Sequence, residues 1–154
     1  MLVIARGVGR YILLQRQEGV QCFRARARLV VAVQMGGSIV TEMLTIRNQI
    51  KVYHWQTKSF ARHKATDDLT AKLDELVDTF VETYMGKYGR PKVSGSIHIS
   101  NFTESGARSF VAQKRKYLEV DLPKKIKSTD TDLLNIRDEI LGELNKVLYL
   151  FSLQ

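Results

Sequence analysis

His63, Asp67, Asp78 and Glu82 follow one another at intervals of 4, 11 and 4 residues. At about 100° per residue these steps fall within roughly 40° of whole turns, so on a continuous helix all four side chains leave from one sector. Imidazole and carboxylate are the ligands expected for iron, manganese or zinc. Asp67 and Asp78, however, stand about 16 Å apart along such a helix, at ~1.5 Å per residue. Metal bonds of ~2 Å cannot bridge that gap, so within one chain the two pairs cannot hold one ion. A second copy running antiparallel about a two-fold axis would bring its Asp78 and Glu82 opposite the first chain's His63 and Asp67, creating two identical shared sites. His54 can supply a further ligand at the same end. The same pattern also describes a solvated helix face, with Lys64, Asp68 and Lys72 as ordinary company. On residue type alone His54 fits a hydrogen-bonded, partly buried histidine, and Trp55 fits a core position better than a redox role.

The elements that must position these residues are helical. Ile39, Met43, Ile46, Ile50 and Tyr53 recur at gaps of four and three, which predicts an amphipathic helix from about residue 38 to 57. After a break at Lys58-Ser59, Leu69, Leu73, Leu76, Phe80 and Tyr84 line a second helix from about Phe60 to Tyr88, ended by Gly86, Gly89 and Pro91. Residues 90–102 read as an irregular connection holding His98, to which no role is assigned. A third helix, the weakest in its apolar signal, is predicted from near Asn101, with Glu104 in a capping-box arrangement, to about Leu122 before Pro123. The fourth opens at Thr129-Asp130-Thr131-Asp132, whose acids suit a helix N-terminus, and runs to the C-terminus on Leu133, Ile136, Ile140, Leu144 and Val147. Asp138, Glu139 and Glu143 on this helix are candidates to face inward, but no Glu-x-x-His occurs, so the intrachain di-iron pattern of ordinary ferritin-like bundles is absent. The expected fold is all-α: a four-helix bundle over residues 35–154 with one longer connection between helices 2 and 3.

Charge divides the chain. Residues 1–34 hold six arginines (Arg6, Arg10, Arg16, Arg24, Arg26, Arg28) against a single acid, Glu18, whereas residues 35–154 hold 18 basic and 15 acidic residues. Three accounts of this leader stand side by side: an arm that contacts nucleic-acid phosphates without sequence preference, an organellar transit peptide, or a dispensable extension before Met35. One cysteine, Cys22, excludes an intramolecular disulfide framework and a multi-cysteine zinc cage. No apolar run approaches the ~20 residues that span a bilayer, so no membrane partner is expected and a cytoplasmic protein is. No serine or cysteine nucleophile constellation and no Gly-rich phosphate loop stands out, which gives hydrolase and nucleotide-enzyme chemistry little support.

Taken together, Tyr53-His54-Trp55-Gln56, His63-x-x-x-Asp67 and Asp78-x-x-x-Glu82 resemble the miniferritins, the Dps-like branch of the ferritin-like proteins. The likeness covers roughly residues 38–154, extending through Gly89-Arg90-Pro91 and the last helix from Glu143 to Leu150, and it is specific only between residues 54 and 82. It implies a ferritin-like four-helix bundle and an intersubunit ferroxidase centre. His54, His63 and Asp67 would come from one chain, and Asp78 and Glu82 from its two-fold mate. The implied chemistry is oxidation of Fe2+ by peroxide or oxygen, with Trp55 as the aromatic that intercepts oxidising radicals. The implied assembly is a homodimer at least and a dodecameric shell at most, sequestering iron and sparing nucleic acid from hydroxyl radicals. Three features depart from that family. The interval from His54 to His63 is shorter than usual, the face expected to line a storage cavity carries Lys64 and Lys72 beside Asp74 and Glu75, and the third helix bears Lys114-Arg115-Lys116.

Overall fold

A computed structural model describes residues 24, 26–28, 36–93 and 95–153. Among them the regular structure is entirely helical. Helix α1 covers residues 36–56 and α2 runs from Phe60 to Tyr88. Helix α3 spans Glu104–Lys116 and continues through a π-turn, Tyr117–Asp121, into a 3-10 turn, Leu122–Lys124. Helix α4 runs from Thr131 to Leu150. No helix among the described residues is long and apolar enough to cross a membrane. Of the leader, Arg24, Arg26 and Arg28 are helical and exposed; Arg6, Arg10 and Arg16 lie outside the described residues.

All five stripe residues of α1 are buried, and they join Leu69, Leu73, Phe80 and Tyr84 of α2 and Leu133, Ile140, Leu144 and Val147 of α4 in one apolar cluster. Val77 is buried on α2, while Leu76 only packs against the cluster from its edge. Helix α3 enters the core through Ala107 and Val111, and then through Leu118 and Leu122. The π-turn keeps those last two residues facing inward: Leu122 N–H donates to Tyr117 C=O, five residues back. The Leu118 carbonyl is satisfied from outside the helix, by the Arg137 guanidinium of α4 at 3.1 Å. An added turn residue thus corrects the thin apolar register of α3, at the cost of a local break in its ladder.

Helix α2 ends at Gly89, whose φ of 80° lies in the region open to glycine. The connection then doubles back over α1 so closely that a Cβ on Gly37 would stand 2.2 Å from the Lys92 carbonyl oxygen. Gln49, buried on α1, pins it farther along: its side-chain amide donates to Ser100 C=O at 2.7 Å and accepts from Ser100 N–H at 2.8 Å. Helix α3 begins later than its sequence suggests. Thr103 is the N-cap, accepting from Gly106 N–H, and Glu104 turns away from the helix end. At the far end, buried Asp130 accepts from Tyr88 Oη, Lys87 Nζ and Lys127 N–H, tying the end of α2 to the start of α4. Burial pushes the Asp130 carboxyl up, but these donors outweigh it and hold it below its ordinary value.

Candidate metal half-site at the α1–α2 turn

Three residues, 57–59, separate α1 from α2. Thr57 N–H closes the last turn of α1 on Tyr53 C=O at 2.9 Å, and Ser59 caps α2 by accepting from Arg62 N–H at 3.3 Å. Glu104 then locks the turn from α3. Its carboxylate accepts from Tyr53 Oη, from Thr57 Oγ1 at 2.9 Å and from Arg62 Nε at 3.0 Å. Burial raises the Glu104 pKa, but hydrogen bonds from Tyr53 and Thr57 and the Arg62 charge outweigh it, leaving the carboxyl below its usual range. For Tyr53, burial and the facing Glu104 carboxylate push the phenol up. Arg62 also donates to the backbone carbonyls of Glu104 (2.9 Å) and Phe151 (3.1 Å) and lies over the Phe151 ring.

So short and firmly held a turn brings His54 and His63 face to face. Their ring centroids are 4.0 Å apart and their planes differ by 23°. His54 Nδ1 lies 3.0 Å from the carbonyl oxygen of His63, and His63 Nδ1 lies 3.0 Å from the carbonyl oxygen of His54. A carbonyl only accepts, so both Nδ1 atoms carry the proton, and in the neutral rings the lone pair falls to Nε2. That is the tautomer in which a histidine binds a metal through Nε2 while its other nitrogen is held by the protein. Thr66 Oγ1, buried 3.3 Å from His54 Nδ1, braces the same ring.

Asp67 lies at the mouth of this pair, half exposed. His54 Nε2 is 3.7 Å from its Oδ1, Lys51 Nζ is 3.8 Å from the same oxygen and Lys64 Nζ is 3.9 Å from Oδ2. Thus His54, His63 and Asp67 are gathered at one end of α2. Asp78 and Glu82 are not with them; both are exposed farther along the helix. Asp78 borders a shallow groove between α1 and α2, with Val40, Leu44, Val77 and Val81 as its apolar lining and Arg47 and Asp74 at its rim. Among the described residues no group of three His, Cys, Asp or Glu side chains could hold a metal ion. One chain carries the two parts of the sequence pattern at separate places.

Two expectations need correction. Trp55 is not a core residue: Tyr53 and His54 take the buried positions of that turn, and the indole is 68% exposed with Lys51 Nζ 5.9 Å from its ring. Nor do the acids of α4 face inward. Asp138 and Glu139 are exposed, and Glu143 is half-buried beside Lys146. Of the residues that hold the histidines in place, Arg62 and Thr66 had no local signal, and Glu104 had only that of a helix cap. Glu104 meets Tyr53 and Arg62 only once α3 has folded back, 51 and 42 residues away.

Residues 54–151 match a family of unknown function, DUF5856, and the chain belongs to that family. An uncharacterized 14.6 kDa protein of Enterobacteria phage T4, from the mobD-ri intergenic region, is 32% identical over 104 residues, spanning 66% of this chain and 75% of the phage protein. No solved structure matches the chain.

Proposed function

We propose that this member of DUF5856 is a homodimeric, ferritin-like four-helix protein that takes Fe2+ as substrate and oxidises it at two sites shared across a two-fold axis. The observation that carries this reading is the reciprocal histidine pair. Each ring's Nδ1 is committed to the other residue's backbone carbonyl, which leaves the Nε2 lone pairs for a ligand, with His54 Nε2 3.7 Å from the Asp67 carboxylate. His54, His63 and Asp67, which by themselves form no complete metal-binding group, would contribute ligands from one copy, and Asp78 and Glu82 of a second copy would complete the coordination. The groove bordered by Asp78 supports the pairing, because its apolar lining and exposed acids lie on the same two helices as the histidines. Each Fe2+ gives up one electron to peroxide or oxygen. The carboxylates favour the more highly charged product, while the imidazoles keep the ferrous ion bound beforehand. Trp55, exposed and next in sequence to His54, would give up an electron to a stray radical. Assemblies larger than the dimer, up to a dodecamer, would be built on this unit.

The double change His63→Ala, Glu82→Ala tests the assignment. Retained helix content with abolished ferrous oxidation is expected, and unchanged oxidation refutes the site. A wild-type chain that stays metal-free under ferrous loading would instead leave a helical scaffold without enzymatic function. A second reading, non-specific nucleic-acid binding by residues 1–34, is favoured by the exposure of Arg24, Arg26 and Arg28. Gel shifts with and without residues 1–34 test it, and equal binding removes it.

A further inference from the structure

We propose that Lys51 and Lys64 form a cationic latch on Asp67 that makes metal binding conditional on dimerisation. The proposal rests on the shared-site reading and adds a regulatory property to it. The half-site of one chain contains a single carboxylate, Asp67, and that carboxylate has an ammonium group near each oxygen: Lys51 Nζ at 3.8 Å and Lys64 Nζ at 3.9 Å. Of the other cations at this turn, Arg62 is already paired with Glu104, and exposed Lys58 forms no ion pair with Asp67. With neutral imidazoles, Lys51, Lys64 and Asp67 together carry one excess positive charge, and a divalent cation approaching them alone meets net repulsion. The other end is its opposite. Among the described residues neither Asp78 nor Glu82 has a cationic partner, and the nearby Arg47 is held by Asp74 at 2.5 Å. Bringing the acidic end of one copy against the basic end of another reverses the sign of the site, because two carboxylates then outweigh the one excess ammonium. Lys51 and Lys64 are long, and their contacts are loose enough to swing from Asp67 to the incoming acids. Dimerisation and cation binding thus strengthen one another, as linkage requires.

Co2+, which stays divalent in air and reports nitrogen ligation in its visible spectrum, is the probe. Its affinity is measured across subunit concentrations that span monomer to dimer, followed by sedimentation, for wild type, Lys64→Gln, Lys51→Gln/Lys64→Gln and His54→Ala/His63→Ala. For wild type, binding should be weak at concentrations where the chain is monomeric and tighten as dimers form. Each lysine removed should raise the affinity of the monomer about tenfold at low salt, as the Coulomb energy of a divalent ion some 5 Å from an ammonium in high dielectric predicts. The dependence on subunit concentration should shrink in the double lysine variant, and near 0.5 M salt the variants should converge, since screening removes the repulsion. Wild-type binding with the same affinity and concentration dependence as the lysine variants overturns the latch and leaves the shared site standing. Binding in none of the chains, or undiminished binding in His54→Ala/His63→Ala, overturns the shared site and the latch with it.

Discussion

Arg62 holds three segments together at the turn that aims the histidines, so its removal is the sharpest structural perturbation available. Its guanidinium, on a side chain only 18% exposed, donates to two backbone carbonyls, pairs with the Glu104 carboxylate and covers the Phe151 ring. A hydrogen bond from a charged donor contributes about 1.5 kcal/mol. The half-exposed ion pair adds about 0.5 kcal/mol and the cation–ring contact a similar amount. These contributions share one side chain and are not independent, so Arg62→Ala should cost about 3 kcal/mol. For a folded unit of this size that corresponds to a fall in Tm of roughly 10 °C. Urea titration followed by circular dichroism measures it directly, with Arg62→Met as companion: the methionine keeps the packing over Phe151 and should recover less than half of the loss. A loss under about 1 kcal/mol for Arg62→Ala would mean that the turn is held by its own capping, and that the clamp contributes little.

Acid should loosen this turn and also the junction of α2 and α4 at the other end. Glu104 and Asp130 have folded-state pKa values below their ordinary 4.5 and 3.8, so their stabilisation is complete above those values and is lost as pH falls through the depressed ones. Urea midpoints measured from pH 6 down to pH 2.5 should therefore decline most steeply below about pH 4, and Glu104→Gln should flatten that decline; an identical slope in the variant contradicts the assignment. Gly37→Ala should destabilise by about 1–3 kcal/mol, because its Cβ would meet the Lys92 carbonyl and force the connection off α1. Gly142→Ala, where a Cβ meets nothing, is the control and should be neutral or slightly stabilising by thermal melt.

The helices that bury a wide stripe were legible in the residues. Each stripe position of α1 is buried, and α2 begins just after the break at Lys58-Ser59 and ends at Gly89, whose positive φ suits glycine. Helix α3 was not legible to the same degree. Beyond Ala107 and Val111 its apolar residues stay in the core only through the π-turn, and Glu104, which reads as a capping residue, serves a network whose partners lie on α1 and α2. Helical periodicity sufficed to put His63 and Asp67 together and Asp78 and Glu82 elsewhere. The stacking of His54 on His63 depends on how tightly residues 57–59 turn, and no period encodes that. Trp55 illustrates the limit of residue type as a guide: hydrophobicity alone assigns an indole inward, but its neighbours on the turn already fill the buried positions.

The claim that one site is built from two copies is tested most directly by mixing. His54→Ala/His63→Ala chains lack the histidine end, Asp78→Ala/Glu82→Ala chains lack the acidic end, and each should fail to oxidise Fe2+ alone. Refolded together in equal amounts, half of the dimers should be mixed and each mixed dimer should hold one intact site, restoring about a quarter of the wild-type rate. A mixture no more active than its two components would contradict the shared site.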